Sequence, residues 1–193
     1  MIEGVKIKKL KIHRDIPDVR KTKMNYPVPR DGVSLRASSF GGFHPRPKRR
    51  GILAAKIKPG FLVEVLRQDD KLLQKFGQTT FTVAYQGTIK GFHFHHKQDD
   101  LWFVATGKAK IVLYDLRKNS LTFKKTQVIL AGENNYKLVL IPKGIAHGYQ
   151  VLSKEPVLLF YHTTETYNSK KPDEERISWD SPEIGFNWEK KEL

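Results

Sequence analysis

From Thr79 onward, apolar and polar residues change places every one or two positions, in short runs separated by turn residues. The runs Thr79–Tyr85, Thr88–His93, Asp100–Ala105, Ala109–Leu116, Thr126–Leu130, Lys137–Ile141, Gly148–Leu152 and Val157–His162 each have the length and β-branched or aromatic content of a strand. Regular spacing of short strands predicts an all-β sandwich or barrel. Upstream, Val5, Ile7, Leu10 and Ile12 alternate imperfectly among lysines, and Phe61–Leu66 reads as a further strand. Asp69–Phe76 reads as a short peripheral helix, with acids at the end where the helix dipole favours them. The last 26 residues, from Asn168, are polar and proline-dotted, with Ile177, Trp179, Ile184, Phe186 and Trp188 available to dock on the barrel.

One segment breaks the pattern. Ile16 to Gly60 holds six of the ten prolines and five of the 14 glycines, including Gly41-Gly42 and the run Arg46-Pro47-Lys48-Arg49-Arg50. Little there can bury an apolar face, so a long loop or partly disordered insertion is expected at about 16–58 within one domain spanning 1–193. The segment also carries much of the charge. The whole chain has a formal charge of +15, and 11 Lys/Arg against Asp18 and Asp31 place +9 of it between Ile16 and Gly60. A polyanion partner, nucleic acid included, is thereby an expectation about the insertion rather than the barrel. With no cysteine, disulfides, thiolate metal sites and thiol nucleophiles are excluded. No apolar run approaches a membrane span and the first residues show no signal core, so a cytoplasmic protein without a membrane partner is expected.

The candidate chemistry is in the histidines. His93 and His95 are two apart on one predicted strand and must share a face, whereas His96 faces the other way. Phe92, Phe94 and Leu101–Val104 nearby place that shared face in the barrel lumen. A third histidine, His147, follows the turn Pro142-Lys143-Gly144. This is the layout of a cupin, a double-stranded β-helix (jelly-roll) barrel. The spacing of Gly87, His93, His95, Asp100 and Gly107 approximates a metal-cupin motif with Asp for Glu. With His147 it would offer three imidazoles and a carboxylate to one divalent transition metal.

Five stretches in order, Phe61-Leu62-Val63-Glu64, Lys90-Gly91-Phe92-His93, Tyr114-Asp115-Leu116-Arg117, Ile141 to Tyr149, and Ile177-Ser178-Trp179-Asp180-Ser181-Pro182, resemble the dTDP-4-dehydrorhamnose 3,5-epimerase family. The resemblance implies a dimeric cupin barrel that epimerises or isomerises a nucleotide-linked 4-keto-deoxysugar without a metal or other cofactor, in nucleotide-sugar or cell-surface polysaccharide biosynthesis. It implies His93 as the base that removes a proton beside the ketone. Gln78, Lys90, Arg117 and His147 would line or support the substrate pocket, Lys90 standing where the family has an arginine. The family's lysine after the histidine motif falls near Asp99 or Asp100. Its catalytic tyrosine counts to Thr166, with Tyr167 one residue on as the acid candidate. The aspartate partner of the family's histidine is expected in a segment beyond Trp188 that this sequence does not contain. A binding barrel without catalysis, for a sugar nucleotide or nucleic acid, is a further alternative.

Plainer roles compete at several positions. Asp115 and Arg117, two apart on a strand, would suit a structural ion pair. Tyr161 reads as core and Trp102 as packing. His147 suits a turn-stabilising role as well as substrate contact.

Overall fold

A computed structural model describes residues 1–14 and 60–189. Contacts divide the chain into two units, residues 1–12 with 63–193, and residues 13–62. The expected insertion at 16–58, with its possible nucleic-acid role, lies outside the described residues. The described ends of the second unit belong to a two-stranded ribbon of β2 (Ile12–Arg14) and β3 (Phe61–Val63).

The larger unit is a barrel of two five-stranded antiparallel sheets. One runs β1 (Lys6–Lys9), β9 (Lys137–Ile141), β6 (Asp100–Thr106), β11 (Val157–Thr163), β4 (Gln78–Ala84). The other runs β12 (Glu175–Arg176), β5 (Ile89–Phe94), β10 (Ile145–Val151), β7 (Lys108–Asp115), β8 (Thr126–Gly132). The eight runs from Thr79 to His162 all appear as strands, with ends shifted by at most three residues.

Alternation sorts each strand between layers. On β7, Ala109, Ile111 and Leu113 point into the lumen and pack with Val139, Ile141, Ile145 and Leu159. Val112 and Tyr114 point outward, yet are buried because Ile184 and Trp188 of the C-terminal segment cover them, together with Phe92 and Ala146. Covering both faces makes β7 buried along nearly its whole length. Each such aliphatic side chain contributes roughly 1.5–3 kcal/mol on burial. Trp179, expected to dock with this segment, is instead 48% exposed.

The predicted helix at Asp69–Phe76 is a single 3-10 turn, Gln68–Asp70, the one helical element among the described residues. Lys71 at φ 50° ends it, and the chain then lays Leu72 and Leu73 against Leu101, Phe103, Leu138 and Leu140 on the outside of the first sheet. Lys8 Nζ holds the turn by donating to Asp70 Oδ1 at 2.5 Å. No described helix is long and apolar enough to cross a membrane.

Candidate active site

Strands β5 and β10 carry the site, and two glycines set how closely they approach. A Cβ on Gly148 would lie 2.7 Å from the Gly91 Cα and 2.7 Å from the Lys90 carbonyl oxygen, both backbone atoms. The register that results places His147 directly opposite His93, with ring centroids 4.1 Å apart. His95 lies two residues along β5 on the same face, and Asp100 enters from the start of β6. Donor atoms of His93, His95, Asp100 and His147 all lie within 4.8 Å of one another. His95, Asp100 and His147 are buried, and only His93 is partly open to solvent.

Above this cluster opens a cleft of about 1110 Å³. Gln78, Thr80 and Thr82 line it from alternate positions of β4, Leu159, Tyr161 and Thr163 from β11, and Lys90 and His93 from β5. Lys90 Nζ donates to Thr82 Oγ1 at 2.7 Å. Gln78 Nε2 donates to Thr80 Oγ1 at 3.2 Å, while its Oε1 accepts the Tyr167 backbone N–H at 2.9 Å. That bond ties the rim segment to the wall. Because β11 ends at Thr163, strand alternation does not govern the next residues, and both Thr166 and Tyr167 line the cleft, with Tyr167 60% exposed.

Hydrogen bonds orient the three buried members of the cluster. His147 Nδ1 sits 2.8 Å from the Ile145 carbonyl oxygen, and His95 Nδ1 bonds the Asp173 carbonyl oxygen. Asp100 accepts from Gln98 Nε2 at 2.7 Å and from Trp102 Nε1 at 3.1 Å. Burial pushes the Asp100 carboxyl up, but its polar neighbours in the cluster outweigh it and hold the group below the ordinary carboxylate range. Burial first, and then the neighbouring His147, push His93 far below the ordinary imidazole value, so its ring is neutral at physiological pH. Burial likewise raises the Tyr161 phenol, which therefore holds its proton.

Of the residues expected at the pocket, the structure brings Gln78, Lys90, His93 and Tyr167 to the cleft and His147 to the floor beneath it. Arg117 is not brought there. Its Nε and Nη2 donate to Asp115 at 2.9 and 2.8 Å and Nη2 also to the Glu3 carbonyl oxygen at 2.7 Å. Its stem lies over Gly144, where a Cβ would come within 2.6 Å of Arg117 Cγ. The pair is structural, the role the two-residue spacing also allowed. Asp99, the other acid near the family's lysine position, faces away from the cleft and accepts the Lys143 backbone N–H. His96 is exposed and pairs with Glu175 at 2.6 Å. The cluster's carboxylate comes from β6 rather than from a C-terminal segment.

Sequence reasoning missed Tyr161, Asp173 and Arg176. Tyr161 packs on the core as expected but also lines the cleft, a position readable from its shared face with Leu159 and Thr163. Asp173 accepts the backbone N–H groups of His96, Lys97 and Gln98 at 3.2, 2.9 and 3.0 Å, fixing the loop after β5. Arg176 pairs across from His93 on the short strand β12. No local pattern marks either residue.

A jelly-roll barrel with a histidine on the floor of a polar, hydroxyl-lined cleft defines a small-molecule cupin, and comparison with known proteins narrows the class. The family model described as dTDP-4-dehydrorhamnose 3,5-epimerase matches residues 56–193. The spore coat polysaccharide biosynthesis protein SpsL of Bacillus subtilis is 54% identical over 129 residues, covering 67% of this chain and 85% of that protein. The probable low-salt glycan biosynthesis epimerase Agl13 of Haloferax volcanii is 32% identical, covering 67% and 84%. Among solved structures, a dTDP sugar isomerase from Desulfovibrio desulfuricans superposes with a TM-score of 0.70 over 100% of this chain and 95% of its own, at 22% identity, which speaks for the fold. The RmlC epimerase of Legionella pneumophila, solved with dTDP-4-keto-L-rhamnose, has a TM-score of 0.60 at 29% identity, covering 67% and 71%. The chain belongs to the dTDP-4-dehydrorhamnose 3,5-epimerase family, whose members are isomerases acting on nucleotide sugars.

Proposed function

We propose that this chain epimerises or isomerises a 4-keto-deoxysugar carried on a nucleoside diphosphate, for the synthesis of a surface glycan, with His93 as the base. The observation that carries this reading is that His93 is the one member of the cluster lining the cleft that is not fully buried, and its neutral ring has a lone pair to accept a proton. The C–H bond beside a ketone is acidic enough for an imidazole positioned against it, because the electron pair moves to the carbonyl oxygen as an enolate. Lys90, Lys171 and Arg176 line the same cleft and supply positive charge for the diphosphate and the developing enolate. Returning the proton to the opposite face of the carbon inverts it. Returning it to the enolate's other carbon moves the ketone instead.

Two phenols can make that return. The donor in this proposal is Tyr161, which is half-buried on β11 and protonated, while Tyr167 at the rim covers the sugar. Gln78 holds the rim in place and His147 supports the base from beneath. Proton transfer of this kind is within reach of side chains alone, so no cofactor is assigned to it. The outward face of edge strand β4 bears Phe81 and Val83, at 61% and 42% exposure, and Tyr85 just beyond its end is 70% exposed. A second copy of the chain is proposed to cover them in a homodimer, in the cytoplasm where nucleotide sugars are at hand.

The test is incubation of metal-stripped protein with dTDP-4-keto-6-deoxyglucose in D₂O, with deuterium at C3 and C5 followed by NMR. Exchange at either carbon is expected, falling by about 10²–10⁴-fold in His93→Ala. Substrate that binds but exchanges at neither carbon would make the barrel a binding protein.

A further inference from the structure

Beneath the cleft floor, two histidines present hydrogen-bond acceptors to another acceptor. The Ile145 carbonyl oxygen facing His147 Nδ1 can only accept, so that nitrogen carries the hydrogen and Nε2 is left with a lone pair. The Asp173 carbonyl oxygen fixes His95 in the same way. Both Nε2 lone pairs then face one carboxylate, His147 Nε2 at 3.5 Å from Asp100 Oδ2 and His95 Nε2 at 3.8 Å from Asp100 Oδ1, with the Gln98 amide, 3.3 Å from His95 Nε2, as the one donor between the latter pair. His147 Nε2 is buried and has no hydrogen-bond partner. Acceptors brought together away from water repel unless a positive centre lies between them.

We propose that His93, His95, Asp100 and His147 form a binding site for one divalent transition-metal ion of the zinc, cobalt or nickel class. The dimensions suit it. Tetrahedral ligands at about 2.1 Å from a metal are about 3.4 Å apart, close to the two separations above, and no ligand pair exceeds 4.8 Å. Three imidazoles and one carboxylate form a donor set of the right hardness for these ions. The outer partners are also in place. Backbone carbonyls fix the tautomers of His95 and His147, and Gln98 and Trp102 orient Asp100 while leaving each of its oxygens a free lone pair. Binding of the metal is independent of the epimerase reading. One consequence rests on that reading: a metal held by His93 takes the lone pair the base needs, so the loaded protein loses proton abstraction.

The experiment titrates metal-stripped, full-length protein with Co²⁺, reading ligand-field absorption, and measures Zn²⁺ retained after dialysis. One equivalent per chain is expected, with an intense tetrahedral cobalt spectrum. His95→Gln, confirmed folded by circular dichroism, is expected to weaken affinity by about 100-fold or more, since it removes a ligand outright where an outer partner alone is worth about 10–100-fold. Asp100→Asn provides a second variant should the first fold poorly. Sub-stoichiometric binding, or binding unchanged in both variants, would overturn the site and leave a shared proton as the positive centre. In the sugar-nucleotide exchange assay, added metal is expected to lower the rate in proportion to occupancy. An unchanged or raised rate at full occupancy would overturn the four-ligand assignment. Should no exchange occur even without metal, the epimerase reading fails while the cobalt spectrum still decides the site.

Discussion

Replacing Arg117 separates a binding role from a structural one. Asp115 is fully buried and accepts five bonds: from the Arg117 backbone N–H at 3.0 Å, Arg117 Nε at 2.9 Å and Nη2 at 2.8 Å, Ser120 Oγ at 2.7 Å and Thr122 Oγ1 at 2.6 Å. Arg117→Ala removes two of these five. Each is charge-assisted and worth about 1.5–3 kcal/mol net, and severing a buried ion pair costs about 3–5 kcal/mol. The Arg117 side chain is 28% exposed and three neutral donors remain on Asp115, so the cost falls at or below the bottom of that range, about 2–3 kcal/mol. For a chain of this size that is a fall in Tm of about 5–10 °C. Burial works to raise the Asp115 carboxyl, but Arg117, Thr122 and Ser120 outweigh it and hold it below the ordinary carboxylate range. A carboxyl depressed on folding stabilises above its unfolded value, near pH 4, and loses that contribution as pH falls through the folded value. The gap between wild type and Arg117→Ala is therefore expected to be full at neutral pH and to close in acid below about pH 4. Thermal melts across pH, with KM measured on the folded enzyme, make the assay. A KM raised tenfold with Tm unchanged would refute the structural assignment and return Arg117 to the substrate.

Further predictions address the site and its frame. Gly148→Ala drives a Cβ into the Gly91 Cα and Lys90 carbonyl of the facing strand; lower thermal stability together with deuterium exchange reduced by about tenfold or more is expected as His93 shifts from the cleft. Tyr161→Phe is expected to retain exchange at the abstracted carbon but to lower epimer formation by about 10²-fold or more, whereas Tyr167→Phe mainly raises KM; product NMR distinguishes them, and the reverse outcome would make Tyr167 the donor. Phe81→Glu places a charge on the apolar face of β4 and is expected to convert a dimer to a monomer in light scattering, with Tm falling as the dimer is lost; a wild-type monomer would remove the proposed interface.

The barrel was legible because half-buried strands write their periodicity into the sequence. His93 and His95 had to share a face, and their place beside Phe92 and Leu101–Val104 set that face inward. The glycine of Pro142-Lys143-Gly144 stands at φ +77°, a turn conformation that L side chains rarely adopt. The helix expected at Asp69–Phe76 failed because its acids and leucines satisfy a local rule, whereas Leu72 and Leu73 answer to the sheet beneath them. Arg117 was ambiguous because the family resemblance placed it at the pocket while its spacing of two from Asp115 suited an ion pair.

What the sequence determined by itself was therefore the strand content, the inward histidine pair and a third histidine behind its turn. Only the tertiary structure decided that His147 faces His93, that Arg117 turns to Asp115 and away from the cleft, and that Tyr161 shares the cleft. Alternation acts within one strand and fixes a face. Registers between strands distant in sequence, set here by the close passage of Gly91 and Gly148, fix which faces meet, and chemistry depends on that meeting.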